Sequence, residues 1–253
     1  MIEEFKKYVA NFNMNLDGIK RKYNHSIRVM NLSIKYAKRL NYTESEIELA
    51  GIIGLLHDLG RFEQYQQYQS FNDEETFNHA TYGAKILFDE GLITKFTNRK
   101  EDYDLIRFAI ENHNKLKIEP TNNKRYLTFA KLIRDIDKLD IVYLSGYLKE
   151  MKYEKCYDKI SINVIKTIKN HKSVNRKDLE NENDTNAMTF AFAFDINNDI
   201  VLKELKRNFY YFYSTINHDN IFDDIYKEII NYINERIDTN VRQKIWFQRS
   251  RRE

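Results

Sequence analysis

A chain of 253 residues with 42% hydrophobic and 14% aromatic side chains can bury the core of one large domain, or of a domain with an appendage, and this composition excludes disorder over most of its length. The net charge of +3 does not by itself point to nucleic acid, and no run approaches the ~18 consecutive apolar residues of a membrane span. The single cysteine, Cys156, excludes a disulfide framework within one chain, and the N-terminus MIEEFKKYVA lacks a signal-peptide core, so a cytoplasmic protein is expected.

One Pro and seven Gly are too few for strands joined by tight turns, and apolar residues recur at helical spacing, so the expected fold is all-α. The first helix is expected over about 2–13 and the second over about 23–40, with Val29, Leu32, Tyr36 and Leu40 on one stripe. Thr43-Glu44-Ser45-Glu46 reads as a capping box opening a third helix that carries Ile47, Ala50, Ile53 and Leu56 to His57-Asp58. The polar, aromatic stretch 60–77 reads as a loop with short turns. A fourth helix follows over about 79–90 with Gly91 as its C-cap, then a fifth over about 101–113 and a loop over 114–125. A long sixth helix spans about 126–150, and 151–171 continues as helix. Residues 172–186 read as a polar mobile connection, and helices follow at about 187–194, 199–217 and 220–246. The domain reading is a core over 1–150 with a helical C-terminal extension over 151–253 packed on it.

Four of the six histidines stand at informative places: His25 early in the second helix, His57 beside Asp58 at the end of the third, His79 opening the fourth and His113 ending the fifth. The sixth helix then carries Asp135, Asp137 and Asp140 in KLIRDIDKLDIV. Burying charges is costly unless they are paired or bound to metal, and helix bundles build metal sites from inward-facing side chains on different helices. Imidazole with carboxylate suits Mn, Fe, Zn or Ni. His218-Asp219 repeats the dipeptide between asparagines with no partner pattern and reads as a turn, while His171 and Cys156 receive no role.

The order His25, His57-Asp58, Asp137 resembles the H…HD…D signature of the HD-domain superfamily of metal-dependent phosphohydrolases, over about residues 20–150, with LLHDLGRF and IRDIDKLD its most specific pieces. The resemblance implies an HD-type helical bundle in which His25, His57, Asp58 and Asp137 hold one divalent ion. Asp58 would bridge to a second ion completed by His79 and His113, as in the binuclear branch. Mn or Fe is the expected metal, with Mg, Ni, Co or Zn as options. Asp58 would be the catalytic metal ligand, and Asp135 and Asp140 would support the ligands or form salt bridges. Arg61, three residues after Asp58, and Lys115, two after His113, are candidate phosphate ligands, Arg61 also being catalytic. The chain lacks the GYP motif of the cyclic dinucleotide phosphodiesterases in that branch.

The expected function is hydrolysis of a small phosphorylated substrate, a nucleotide-type phosphomonoester, phosphodiester or phosphoanhydride, without a membrane partner. The rivals are a nuclease acting on single-stranded nucleic acid and a non-catalytic module that binds a nucleotide or a protein. The aromatic stretch NFYYFYSTI reads as helix packing, and the basic end RQKIWFQRSRRE as a solvated or phosphate-attracting tail.

Overall fold

The computed structural model describes residues 1–146, 159–216 and 220–249, with the side chains of 220 and 241–249 left aside. The described residues are helices and their connections, with no strand among them. The chain divides into two compact units, Met1–Asp140 and Ile141–Glu253.

The first unit contains α1 (Ile2–Val9), α2 (Asp17–Arg39), α3 (Glu44–Leu56), α4 (Gly60–Tyr68), α5 (His79–Ala84), α6 (Tyr103–Asn112) and most of α7 (Lys124–Gly146). At its centre is α3. The Thr43 hydroxyl accepts from the Glu46 amide while the Glu46 carboxylate accepts from the Thr43 amide, so the expected capping box is formed. Every residue from Leu49 to Leu56 is buried, so this helix is apolar all round and its end lies in the core. Gly54 lets α3 lie directly on α2. A Cβ there would fall 3.0 Å from both the Met30 Cα and the Val29 carbonyl oxygen. That close crossing brings the end of α3 against the middle of α2, where His25 lies.

The polar stretch expected to be a loop over 60–77 instead opens with helix α4. Phe62 and Gln64 are buried, Phe62 packs edge-on against Phe5, and Gln69 ends the helix in the left-handed conformation at φ 49°. Its polar composition hid it, because the buried face carries Arg61 and Gln64 beside the aromatic ring. α2 begins at Asp17, more than one and a half turns earlier than expected, since Ile19 is buried there. α5 runs on into a single wide turn, Lys85–Asp89, before Gly91 adopts φ 80°.

The second unit contains the end of α7, α8 (Ile162–Lys169), α9 (Glu182–Ala191), α10 (Asp199–Tyr213) and α11 (Asn220–Arg249). Its core includes Phe190, whose ring meets those of Phe209 and Phe212, so the aromatic stretch 208–216 serves packing, although Tyr210 and Tyr211 face outward. The connection 172–186 is more ordered than its polarity implied. Asn181 caps α9, and buried Asp184 accepts from the Ser161 amide and hydroxyl and from the Glu180 amide. Cys156, His218-Asp219 and the expected helix over 151–158 lie outside the described residues, as do the side chains of the basic tail.

Candidate metal centre

Five helices and the turn after α3 deliver the six candidate ligands to one buried cluster. His25 comes from α2, His57 caps the end of α3, and Asp58 begins the turn beyond it. His79 opens α5, His113 caps the end of α6, and Asp137 lies on α7. His25, His57, Asp58, His79 and His113 are all buried, and the Asp137 side chain is 14% exposed.

Asp58 stands at the centre and its two oxygens face different partners. Oδ2 lies 3.4 Å from His25 Nε2 and 3.6 Å from His57 Nε2, while Oδ1 lies 3.2 Å from His79 Nε2 and 3.6 Å from His113 Nε2. Asp137 Oδ1 joins the first pair, 3.1 Å from His25 and 3.5 Å from His57. The donor atoms of His25, His57 and Asp58 lie within 4.8 Å of one another, as do those of Asp58, His79 and His113. Asp135, also buried, is not among these groups.

The outward ring nitrogens decide what the inward ones can do. His57 Nδ1 lies 2.9 Å from the Gly54 carbonyl oxygen and His113 Nδ1 lies 2.6 Å from that of Ile110. His25 Nδ1 meets Asp140 at 2.7 Å and His79 Nδ1 meets Asp73 at 2.8 Å. All four partners are pure acceptors, so each Nδ1 carries a proton and each ring, when neutral, turns its Nε2 lone pair inward. The Nε2 atoms approach in pairs, 3.2 Å for His25 and His57 and 3.1 Å for His79 and His113. Lone pairs so close need a cation beside them, and the tautomer and donor set are those of a metal site supported by its surroundings.

Without metal, a proton takes that place on His25. Burial and neighbouring Lys22 oppose its charge, but Asp137, Asp140 and Asp58 outweigh them and push its pKa up to about 10. Burial lowers His113 to about 4. Burial also works against ionised Asp58, yet Lys22, His57 and the bonds from His113 and His25 hold its carboxyl well below the usual range.

Several members of the site went unread in the sequence. Lys22, one turn before His25, places Nζ 2.6 Å from Asp58 Oδ2, and burial lowers its pKa. Its position among Lys20, Arg21 and Lys22 gave no sign, because helical phase puts both Arg21 and Lys22 on the His25 face. Arg28 donates to both oxygens of Asp140. Asp73 accepts from Arg61, Gln64 and Asn114 as well as from His79. Arg61 is buried 3.7 Å from Asp58 Oδ1, and its Nη1 donates to Gln64, Asp73 and the Phe71 carbonyl oxygen. Lys115 pairs with Glu119 at 2.7 Å. Its own carbonyl oxygen accepts from buried Arg134, which also ties down the carbonyl oxygens of Asn112 and His113.

Comparison with known proteins agrees with this geometry. Residues 23–141 match the model of the HD domain. Over 145 residues the chain is 28% identical to the symmetrical bis(5'-nucleosyl)-tetraphosphatase of Staphylococcus aureus, an alignment covering 53% of this chain and 73% of that protein. No solved structure matches significantly. Among the described residues no helix is long and apolar enough to cross a membrane. The matched segment begins two residues before His25 and ends one after Asp140, so it encloses the whole cluster, and residues 23–141 form an HD domain.

Proposed function

We propose that the domain hydrolyses a nucleotide phosphoanhydride, with dinucleoside polyphosphates as the substrate class. The observation that carries the reading is the division of Asp58: one oxygen faces the His25–His57 pair and the other faces the His79–His113 pair. A carboxylate so placed is suited to bridge two ions. His25, His57, Asp58 and Asp137 would hold one, and Asp58, His79 and His113 the other. Two divalent ions supply Lewis acidity toward phosphoryl oxygens and lower the pKa of water to about 7.

The chain's own residues account for the rest. Four carboxylates, Asp58, Asp73, Asp137 and Asp140, face three basic side chains, Lys22, Arg28 and Arg61, leaving one negative charge when all are ionised, which two divalent ions convert to a surplus of three positive. Such a site suits a polyanion with several phosphoryl groups better than a phosphodiester bearing one charge. Asp137 and Lys22, with 14% and 17% of their side chains exposed, open the His25–His57 side of the cluster to solvent, and a substrate phosphate would arrive there. Lys22 is placed to exchange its partner, leaving Asp58 for a phosphoryl oxygen once metal takes over the carboxylate. Arg61, held by Asp73, Gln64 and the Phe71 carbonyl, keeps its charge beside Asp58 at fixed distance. The relative's name supplies the substrate class, dinucleoside tetraphosphates.

The test is turnover with Mn2+ of a panel containing dinucleoside tetraphosphates, mononucleotides, cyclic dinucleotides and single-stranded oligonucleotides, with Asp58→Ala as control. Cleavage of the tetraphosphate at its midpoint, abolished by Asp58→Ala, is the expected result. Preferred cleavage of oligonucleotides would make the protein a nuclease. No turnover of any substrate by metal-loaded protein would overturn the hydrolase reading.

A further inference from the structure

The four imidazoles are not anchored alike. His57 and His113 are fixed by carbonyls of their own helices. His25 is fixed by Asp140, which is fully buried on α7 and clamped by Arg28 through two hydrogen bonds. His79 alone depends on a residue outside regular structure. Asp73 lies between α4 and α5, with 24% of its side chain exposed, and meets His79 Nδ1 with both oxygens at 2.8 Å.

Asp73 is held by three donors from two other places in the chain. Arg61 Nη1 at 2.8 Å and Gln64 Nε2 at 3.0 Å come from α4, and Asn114 Nδ2 at 3.1 Å comes from the residue after His113. Gln64, fully buried, also ties the loop through the Thr76 hydroxyl and the Phe77 carbonyl oxygen. Phe71 of the same loop stacks on Tyr65, and the charges of Arg21, Lys22 and Arg61 lie 5.1–5.6 Å from its ring centre. The loop is thus joined to one half of the cluster through Asp73 and to the cations through Phe71.

We infer that Asp73 is the positioning residue for the His79–His113 half of the centre, so that this half binds its ion more weakly than the His25–His57–Asp137 half and through the state of loop 69–78. The inference rests on the two-ion reading above. A carboxylate on the far nitrogen of a histidine ligand fixes its tautomer and raises its basicity, and removing one costs about 10–100-fold in metal affinity. Because Asp73 belongs to the loop, anything that draws the loop aside releases His79 first, whereas Asp140 moves only with α7.

The experiment is calorimetric titration of chelator-stripped protein with Mn2+, with metal content measured after desalting, for the wild type, Asp73→Asn, Asp73→Ala and Asp140→Asn. The wild type is expected to bind two ions in separable steps. Both Asp73 variants should keep the tight step unchanged and weaken the second about 10–100-fold, retaining one ion after desalting. Asp140→Asn should weaken the tight step instead. Circular dichroism separates loss of a site from loss of fold, and Asp73→Asn, which keeps an acceptor and the side-chain shape, serves if Asp73→Ala fails to fold. Two ions bound by Asp73→Asn with wild-type affinities would overturn the inference. A wild type that binds fewer than two ions would overturn the two-ion reading itself.

Discussion

Replacing Gly60 with alanine separates the geometry of the centre from the stability of the fold. Gly60 is where α4 crosses α5, and a Cβ there would lie 2.2 Å from the His79 carbonyl oxygen, 2.9 Å from the Gly83 nitrogen and 3.1 Å from the His79 carbonyl carbon. All three atoms are backbone, so no side-chain rotation relieves the clash. Ordinary contact begins at 3.4 Å, so the two helices must part by about 1 Å at the residue that carries His79. Alanine regains ~1 kcal/mol of helix propensity over glycine, and overpacking costs ~1–3 kcal/mol. The net loss is therefore on the order of 0–2 kcal/mol, which a domain with ~5–15 kcal/mol of stability survives. Catalysis tolerates less, since a 1 Å misplacement can cost ~100-fold. The expected outcome is a kcat/KM about 100-fold lower at saturating Mn2+, with an unfolding midpoint only a few degrees below wild type. Gly91→Ala is the control. Its φ of 80° makes alanine strained by ~1 kcal/mol, but nothing lies within 4 Å and the centre is untouched. The assay pairs Mn2+-dependent hydrolysis with thermal unfolding of both variants. Wild-type kcat/KM in Gly60→Ala, or equal activity losses at equal destabilisation in the two variants, would refute the claim that this crossing sets the position of His79.

Lys22→Met keeps the length of the side chain and removes the cation on Asp58. Unpairing a buried carboxylate costs ~3–5 kcal/mol, so metal-free protein should lose most of that stability, and Mn2+ should restore much of it in a thermal melt. The same variant should lose at least tenfold in kcat/KM, whereas Lys115→Ala, which removes only an ion pair with Glu119, should stay within about twofold. Stripping the wild type with a chelator should abolish turnover. Returning Mn2+ at 100 times its dissociation constant should add ~2.7 kcal/mol, or ~5–10 °C in the melt. Thr43→Ala removes the capping box of α3 and should cost ~0.5–2 kcal/mol while leaving kcat/KM unchanged, because the other end of that helix carries the ligand.

The helical character and the ligand set could be read from the sequence because both are written in short spacings. Helical periodicity runs through most elements, and His57-Asp58 stands at the end of an unbroken apolar stretch. The supports of the ligands are written in no such spacing. Asp73 sits in FNDEETFN beside Glu74 and Glu75, and nothing local says which acid turns inward, because the choice depends on the loop closing onto α4 and on Asn114 from another part of the chain. Helix α4 was hidden for a related reason. Its buried face uses the polar Arg61 and Gln64, which are satisfied by a loop outside the helix, so no apolar stripe marks it. Lys22 could have been narrowed down but not singled out, since once α2 is granted both Arg21 at i−4 and Lys22 at i−3 share the face of His25.

His57 and His113 each end the helix that bears them, and each gives its Nδ1 proton to a carbonyl in that helix's last turn. Their tautomers are therefore dictated by main-chain atoms, which no point substitution at a partner position can delete. The other two histidines take their tautomers from side chains and can be detuned by a single codon change. Drift in metal affinity among descendants of this sequence should accordingly enter through Asp73 and Asp140, whereas the two backbone-anchored histidines lose their orientation only when α3 or α6 unwinds.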